Sequence, residues 1–375
     1  MERTQPARSG RHQRGGTPVP ARSGQAGLST KPVSALLTRP LLIFTFILLL
    51  LIQSTLWLGP SLTGGQVLAF AGIDGNLYIS DVTRNQTRQL TRDSAYDTDP
   101  AWSPDGQRIA YFSRENRNPT LYVIDATGRN RRSLSLESAG VNRFMAWAPD
   151  NRHIVYVAPN NGLNDIFLLD VDTRAIRNLT EHPADDTEPA WSPDGSQILF
   201  TSQRAGNSDI FLLDVACEPA DCEPRNITHN PAVDLLPQWS PDGTMILFLS
   251  NRDGGDFDVF VQDLNVGEPV NISANHLDDT LPQWSPSGDE LLWLAPFNER
   301  YDRRVIIGNL EGQHTQTLVD QNGSIVSARW SPDGRYIAFS YAIEATRSIF
   351  FVNLRDGRWR ILANGLNGQS PAWRP

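Results

Sequence analysis

From residue 66 onward the chain alternates apolar runs of four to six residues with clusters of Gly, Pro, Asn and Asp, and nothing after residue 60 keeps a helical period. Between Asp185 and Thr228, Glu-Pro-Ala-Trp-Ser leads into Pro-Asp-Gly. Three further runs follow: Gln-Ile-Leu-Phe-Thr-Ser, Asp-Ile-Phe-Leu-Leu-Asp and Arg-Asn-Ile-Thr. Rich in Ile, Leu, Phe and Thr and bounded by turn formers, these runs predict a four-stranded antiparallel meander. In its first turn Pro193 presets the backbone angle, Asp194 accepts from nearby amides and Gly195 takes the positive φ of a tight reversal.

The unit recurs. Trp102, Trp147, Trp191, Trp239, Trp284, Trp330 and Trp373 are spaced by 45, 44, 48, 45, 46 and 43 residues, and five of the first six open Trp-Ser-Pro-Asp/Ser-Gly. Seven second strands can be counted: Val67–Phe70, Ile109–Phe112, Ile154–Val157, Ile198–Thr201, Ile246–Leu249, Leu291–Leu294 and Ile337–Ser340. This period predicts an all-β, seven-bladed propeller of four-stranded antiparallel blades, with the tryptophans packing blade on blade. The first second strand has no tryptophan strand before it, and Trp373 has no second strand after it. The C-terminal segment is therefore expected to close the blade that begins near residue 66.

Before the propeller, residues 41–59 carry no charge. As a helix at ~1.5 Å per residue they would span about 29 Å, close to a bilayer core. Arg3, Arg8, Arg11, Arg14, Arg22, Lys31 and Arg39 precede the run against Glu2 alone, which predicts a cytoplasmic N-terminus and a propeller on the extracytoplasmic side. A cleaved signal peptide is the competing reading, but the run is long for one and no clear Ala-x-Ala site follows. The expected organisation is a disordered basic tail at 1–40, a transmembrane signal anchor at 41–59, a linker at 60–65 and the propeller at 66–375.

Seven of the 33 basic and one of the 42 acidic residues lie in 1–40 and none in 41–60, leaving 26 against 41, a net of −15. So acidic a domain argues against nucleic acid as partner. Cys217 and Cys222 fall between the third and fourth strands of the Trp191 unit, and outside the cytoplasm they are expected to form a disulfide.

No Gly-x-Ser-x-Gly, His-Glu-x-x-His or Walker motif is present. The recurring charges are Asp97, Asp186, Asp234 and Asp279, each five residues before its tryptophan, with Arg114, Arg204 and Arg252 expected on the same face. Two readings of this set stay open. It forms a channel-rim collar for a basic segment or a divalent cation, or each Asp serves its own blade by bonding turn amides and arginines. His182, His229 and His276 keep approximate phase, but equivalent positions in adjacent blades are too far apart to share one ion. Asn85, Asn178, Asn226, Asn271 and Asn322 open glycosylation sequons, three of which coincide with the outer-strand pattern of the repeat.

Pro-Ala-Trp-Ser-Pro-Asp-Gly, Ile-Leu-Phe, Ser-x-Arg, Asp-Ile-Phe-Leu-Leu-Asp and Leu-Thr together resemble the WD40-like PD40 repeat of the TolB-like β-propeller family over residues 66–375. That repeat also builds propeller domains of prolyl oligopeptidase-type peptidases and some sugar lyases. TolB itself has an N-terminal α/β domain and six blades, so the resemblance is to the family. It implies a monomeric, non-enzymatic scaffold without a cofactor, binding an envelope or extracellular protein or peptide. The alternative it leaves is an extracytoplasmic, metal-dependent carbohydrate lyase.

Overall fold

The computed structural model describes residues 66–375 except 115–118, 135–143, 218–222, 298–301, 319–323, 344–345 and 363–367. The expected tail, anchor and linker lie outside the described residues, among which no helix is long and apolar enough to cross a membrane. The strands form seven four-stranded antiparallel sheets, the seven-bladed propeller that the period predicts. In blade 1 the innermost strand is Gly368–Trp373, paired with Val67–Gly72, followed by Leu77–Asp81 and Gln86–Gln89. The first and last strands thus share a sheet, which closes the ring of blades without an open end. The innermost strands of blades 2 to 7 are Tyr96–Trp102, Met145–Trp147, Asp186–Trp191, Asp234–Trp239, Thr280–Trp284 and Ser324–Trp330.

Second strands such as Gln197–Ser202 and Met245–Ser250 are buried along nearly their whole length because a neighbouring blade covers each face. Their sequences are therefore apolar runs and not alternations. The buried side chains gather into seven clusters, one at each seam between blades. Polar bonds follow the same rule. The indole N–H of Trp102, Trp147, Trp191 and Trp373 donates to the carbonyls of Ala372, Ala101, Ala146 and Arg329 at 3.1 Å, and Trp239 to Ala190 at 3.2 Å. At the other two seams the position before tryptophan is glutamine. There Gln238 Nε2 reaches the Pro282 carbonyl at 2.6 Å and Gln283 Nε2 the Ala328 carbonyl at 2.7 Å, while Trp284 and Trp330 Nε1 find no partner among the described residues. Gln283→Ala is accordingly expected to lower stability by about 1 kcal/mol, seen as a reduced urea midpoint. An unchanged midpoint would deny the amide bridge any part in holding blades 6 and 7 together.

The Ser-Pro-Asp-Gly turns define one face of the disc. Ser192 Oγ donates to Asp194 at 2.6 Å, the Ser196 N–H to Asp194 at 3.0 Å and the Gln197 N–H to Ser192 Oγ at 3.0 Å, with Gly195 at φ 74°. This turn face is opposite the loop face, where second strands pass to third strands and the chain enters each innermost strand. Asp186 pairs with Ser202 at the loop end of blade 4, and Trp191 with Ile198 at the turn end. Innermost strands also bulge: Asp99, Glu188, Leu236, Leu281 and Ser370, each followed by proline, hold φ between 51° and 57°, and the register shifts beside them.

Candidate functional site on the loop face

The repeat phase brings Asp97, Asp186, Asp234 and Asp279 to the loop end of their blades, and all four are 0% exposed. In blade 4, Arg204 donates from Nη2 to Asp186 at 2.8 Å and from Nε to Ser202 at 2.9 Å, lying 5.2 Å from the ring centres of Phe200 and Phe211. Blade 5 repeats the arrangement: Arg252 meets Asp234 at 3.0 and 3.1 Å and Ser250 at 2.9 Å, over Phe248 and Phe260. These carboxylates serve their own blades. Burial still pushes the Asp186 carboxyl above its ordinary value, against the pull of Arg204.

Blades 2 and 6 depart from this module. Burial raises Asp97, which is flanked by Ser113 and Thr91. The cation that acts on it is Arg131, bonded to Tyr111 at 2.6 Å and to Asp93 at 3.2 Å, and not Arg114. Arg114 is exposed at the end of its strand and lines a shallow hollow with Tyr96, Thr98, Phe112 and Pro119. In blade 6, Ala295 and Phe297 stand where blades 4 and 5 carry serine and arginine. Among the described residues no guanidinium bonds to Asp279, which accepts from Asn275 Nδ2 at 2.7 Å and leaves its other oxygen without a partner. Desolvation first, with Asp258 and Asp256 nearby, pushes its carboxyl up to about 7.

The sequon residues have a structural task. Asn178, Asn226 and Asn271 donate to Asp165, Asp209 and Asp258 at 2.6, 2.7 and 2.8 Å, tying each outer strand to the start of its third strand. His229 and His276 are exposed and His182 half-buried, and among the described residues no three His, Cys, Asp or Glu side chains are placed to hold one metal ion. Cys217 is in a disulfide; Cys222, the other cysteine of the sequence, lies outside the described residues.

One surface feature was not readable from the repeat. Ile73, Tyr96, Phe144 and Leu163 are 64, 42, 39 and 37% exposed. All four lie on the loop face, in blades 1, 2, 3 and 3. Ile73 and Leu163 stand at second-to-third strand connections, and Tyr96 and Phe144, like the 42% exposed Leu277 of blade 6, at entries to innermost strands; their distances from the tryptophans differ, so no periodic signal announces them.

The model of the TolB beta propeller domain (PD40) matches residues 75–222 and 217–375. The chain belongs to this family. A Tol-Pal system protein TolB from Thioalkalivibrio sulfidiphilus is 39% identical over 59 residues, 16% of this chain and 14% of that protein. Its counterpart from Roseobacter denitrificans is 43% identical over 58 residues, again 16% of this chain and 13% of that protein. The chain thus aligns with only a small part of the length of these TolB relatives. Among solved structures, TolB from Acinetobacter baumannii has a TM-score of 0.53 at 20% identity, covering 87% of this chain and 70% of that one. An oligogalacturonate lyase in complex with manganese has a TM-score of 0.60 at 12% identity, covering 79% and 83%. At such identities both likenesses are of fold.

Proposed function

We propose that this TolB-family propeller is a non-enzymatic protein-binding scaffold, anchored through residues 41–59 and displayed on the extracytoplasmic side, whose partner docks on the loop face of blades 1 to 3. The observation that carries the reading is the exposed apolar set Ile73, Tyr96, Phe144 and Leu163. In blades 4 and 5 the corresponding ground is sealed by Arg204 and Arg252 lying on their phenylalanine pairs. Aromatic and aliphatic groups with a nearby arginine, here Arg114, are the residue types that carry most binding energy at protein interfaces. A closed ring presents them already ordered, so little conformational entropy is lost on docking. The name of the relatives, Tol-Pal system protein, supports a protein partner. No described cluster of metal ligands favours the lyase reading.

The test is crosslinked capture from native cells with the full chain and its Tyr96→Ser/Phe144→Ser variant. A protein recovered by the wild type and reduced at least about tenfold by the variant is expected, the loss of 1.4 kcal/mol or more. Equal recovery by both would move the interface off this patch. Divalent-ion-dependent cleavage of an acidic oligosaccharide by the purified chain would replace the scaffold reading with the lyase.

A further inference from the structure

A cavity of about 670 Å³ opens at the seam between blades 1 and 2, where Arg84, Arg88 and Arg374 converge and Asp81 is the one acidic side chain among the described lining residues. This concentration of positive charge stands against a domain whose net charge is −15. The three guanidinium groups differ in how far they are already engaged. Arg88 is held by the backbone carbonyls of Ala126 and Thr127. Arg84 is 74% exposed and meets Asp81 through Nη1 at 3.2 Å. Arg374 is fixed by its backbone N–H, which donates to Val67 at 2.8 Å, and its guanidinium lies 5.7 Å from the Trp102 ring centre. Its side chain donates no hydrogen bond among the described residues. The seam is shaped to admit it: a Cβ on Gly106 would come within 2.6 Å of Arg374 Nε.

We propose that this groove binds an anionic, phosphate-bearing group, with Arg374 and Arg84 as the principal donors. A guanidinium presents paired N–H groups that match the oxygens of a phosphate, and one held over an indole keeps its orientation while its edge stays free. Asp81, one oxygen of which accepts from the Thr83 and Arg84 amides at 2.9 and 3.0 Å, stays ionised and offsets one of the three positive charges. Two sources fit this chemistry. Val67 lines the groove, and the apolar run 41–59 ends eight residues upstream of it, so a phospholipid headgroup is one. A soluble phosphate is the other. The site is separate from the loop face, and its success or failure is independent of the scaffold reading.

The experiment uses the full chain in a neutral detergent, titrated by calorimetry with inorganic phosphate and, separately, with short-chain phosphatidylglycerol. Saturable binding that weakens with added salt is expected. In Arg84→Gln/Arg374→Gln the apparent Kd should rise at least tenfold, and in Arg84→Gln alone, a change at an exposed side chain, about threefold. Binding of phosphate alone assigns a soluble ligand, and binding of the lipid alone assigns a headgroup. Absence of binding by both probes, or equal binding by wild type and the single variant, overturns the site.

Discussion

Asp279→Asn is expected to be more stable than the wild type at pH 8 by on the order of a few kcal/mol, and to match it near pH 4. Desolvation lifts the folded-state carboxyl to about 7, while its ordinary value is 3.8. A raised acid binds its proton more tightly in the folded protein than in the unfolded one. Stability supplied by that proton is therefore complete below the unfolded value, is lost as pH rises through the interval up to about 7, and changes no further above it. Asparagine removes the charge and still accepts from Asn275. Urea unfolding of both proteins at pH 4, 5, 6, 7 and 8 reads the difference directly. Asp97, Asp186 and Glu188, which burial also raises, tilt both curves alike and cancel in the comparison. Parallel curves for the two proteins would mean that Asp279 is ionised in the fold at little cost.

The isolation of Asp279 was legible, although only by comparing blades. Ser202 and Arg204 stand 16 and 18 residues after Asp186, as do Ser250 and Arg252 after Asp234; at those distances after Asp279 stand Ala295 and Phe297. The propeller itself was more plainly written, because an interval of 43 to 48 residues between tryptophans has no other economical packing. Periodicity places a residue at a height on its blade. It does not say whether that position faces water: all four aspartates that looked like a collar are buried, Asp186 and Asp234 beneath arginine and phenylalanine of their own blades. The innermost bulges had a signal that went unread: five prolines stand two residues before tryptophan, and each follows a residue of positive φ. Met145 and Ala328 replace proline in blades 3 and 7. The loop-face patch and the arginine groove depart from the repeat, and departures are what a repeat-based reading discards.

Arg204→Ala should destabilise the protein by about 3–5 kcal/mol at pH 7, the loss typical of a buried ion pair deprived of one partner. Asp186 would then be a carboxylate with 0% exposure, stripped of a 2.8 Å bond to the guanidinium, and Phe200 and Phe211 would lose the cation above them. The deficit should shrink as pH falls toward 4, because Asp186, already raised by burial, takes up a proton and ceases to need the arginine. Asp186→Asn/Arg204→Ala should accordingly be more stable at pH 7 than Arg204→Ala alone. Arg114→Ala supplies the contrast: exposed and without a carboxylate partner among the described residues, it should change stability by less than about 0.5 kcal/mol. Urea midpoints at pH 5 and 7 decide the matter, and equal losses for the two arginines would overturn the distinction between a sealing arginine and a surface one. The same logic limits how binding can be probed on this face. Reversing the charge of Asp186 or Asp234 would place a cation against Arg204 or Arg252 inside the blade, so lost capture would report unfolding. Substitutions at Tyr96 and Phe144, which are open to solvent, change the surface and leave the ion pairs of blades 4 and 5 intact.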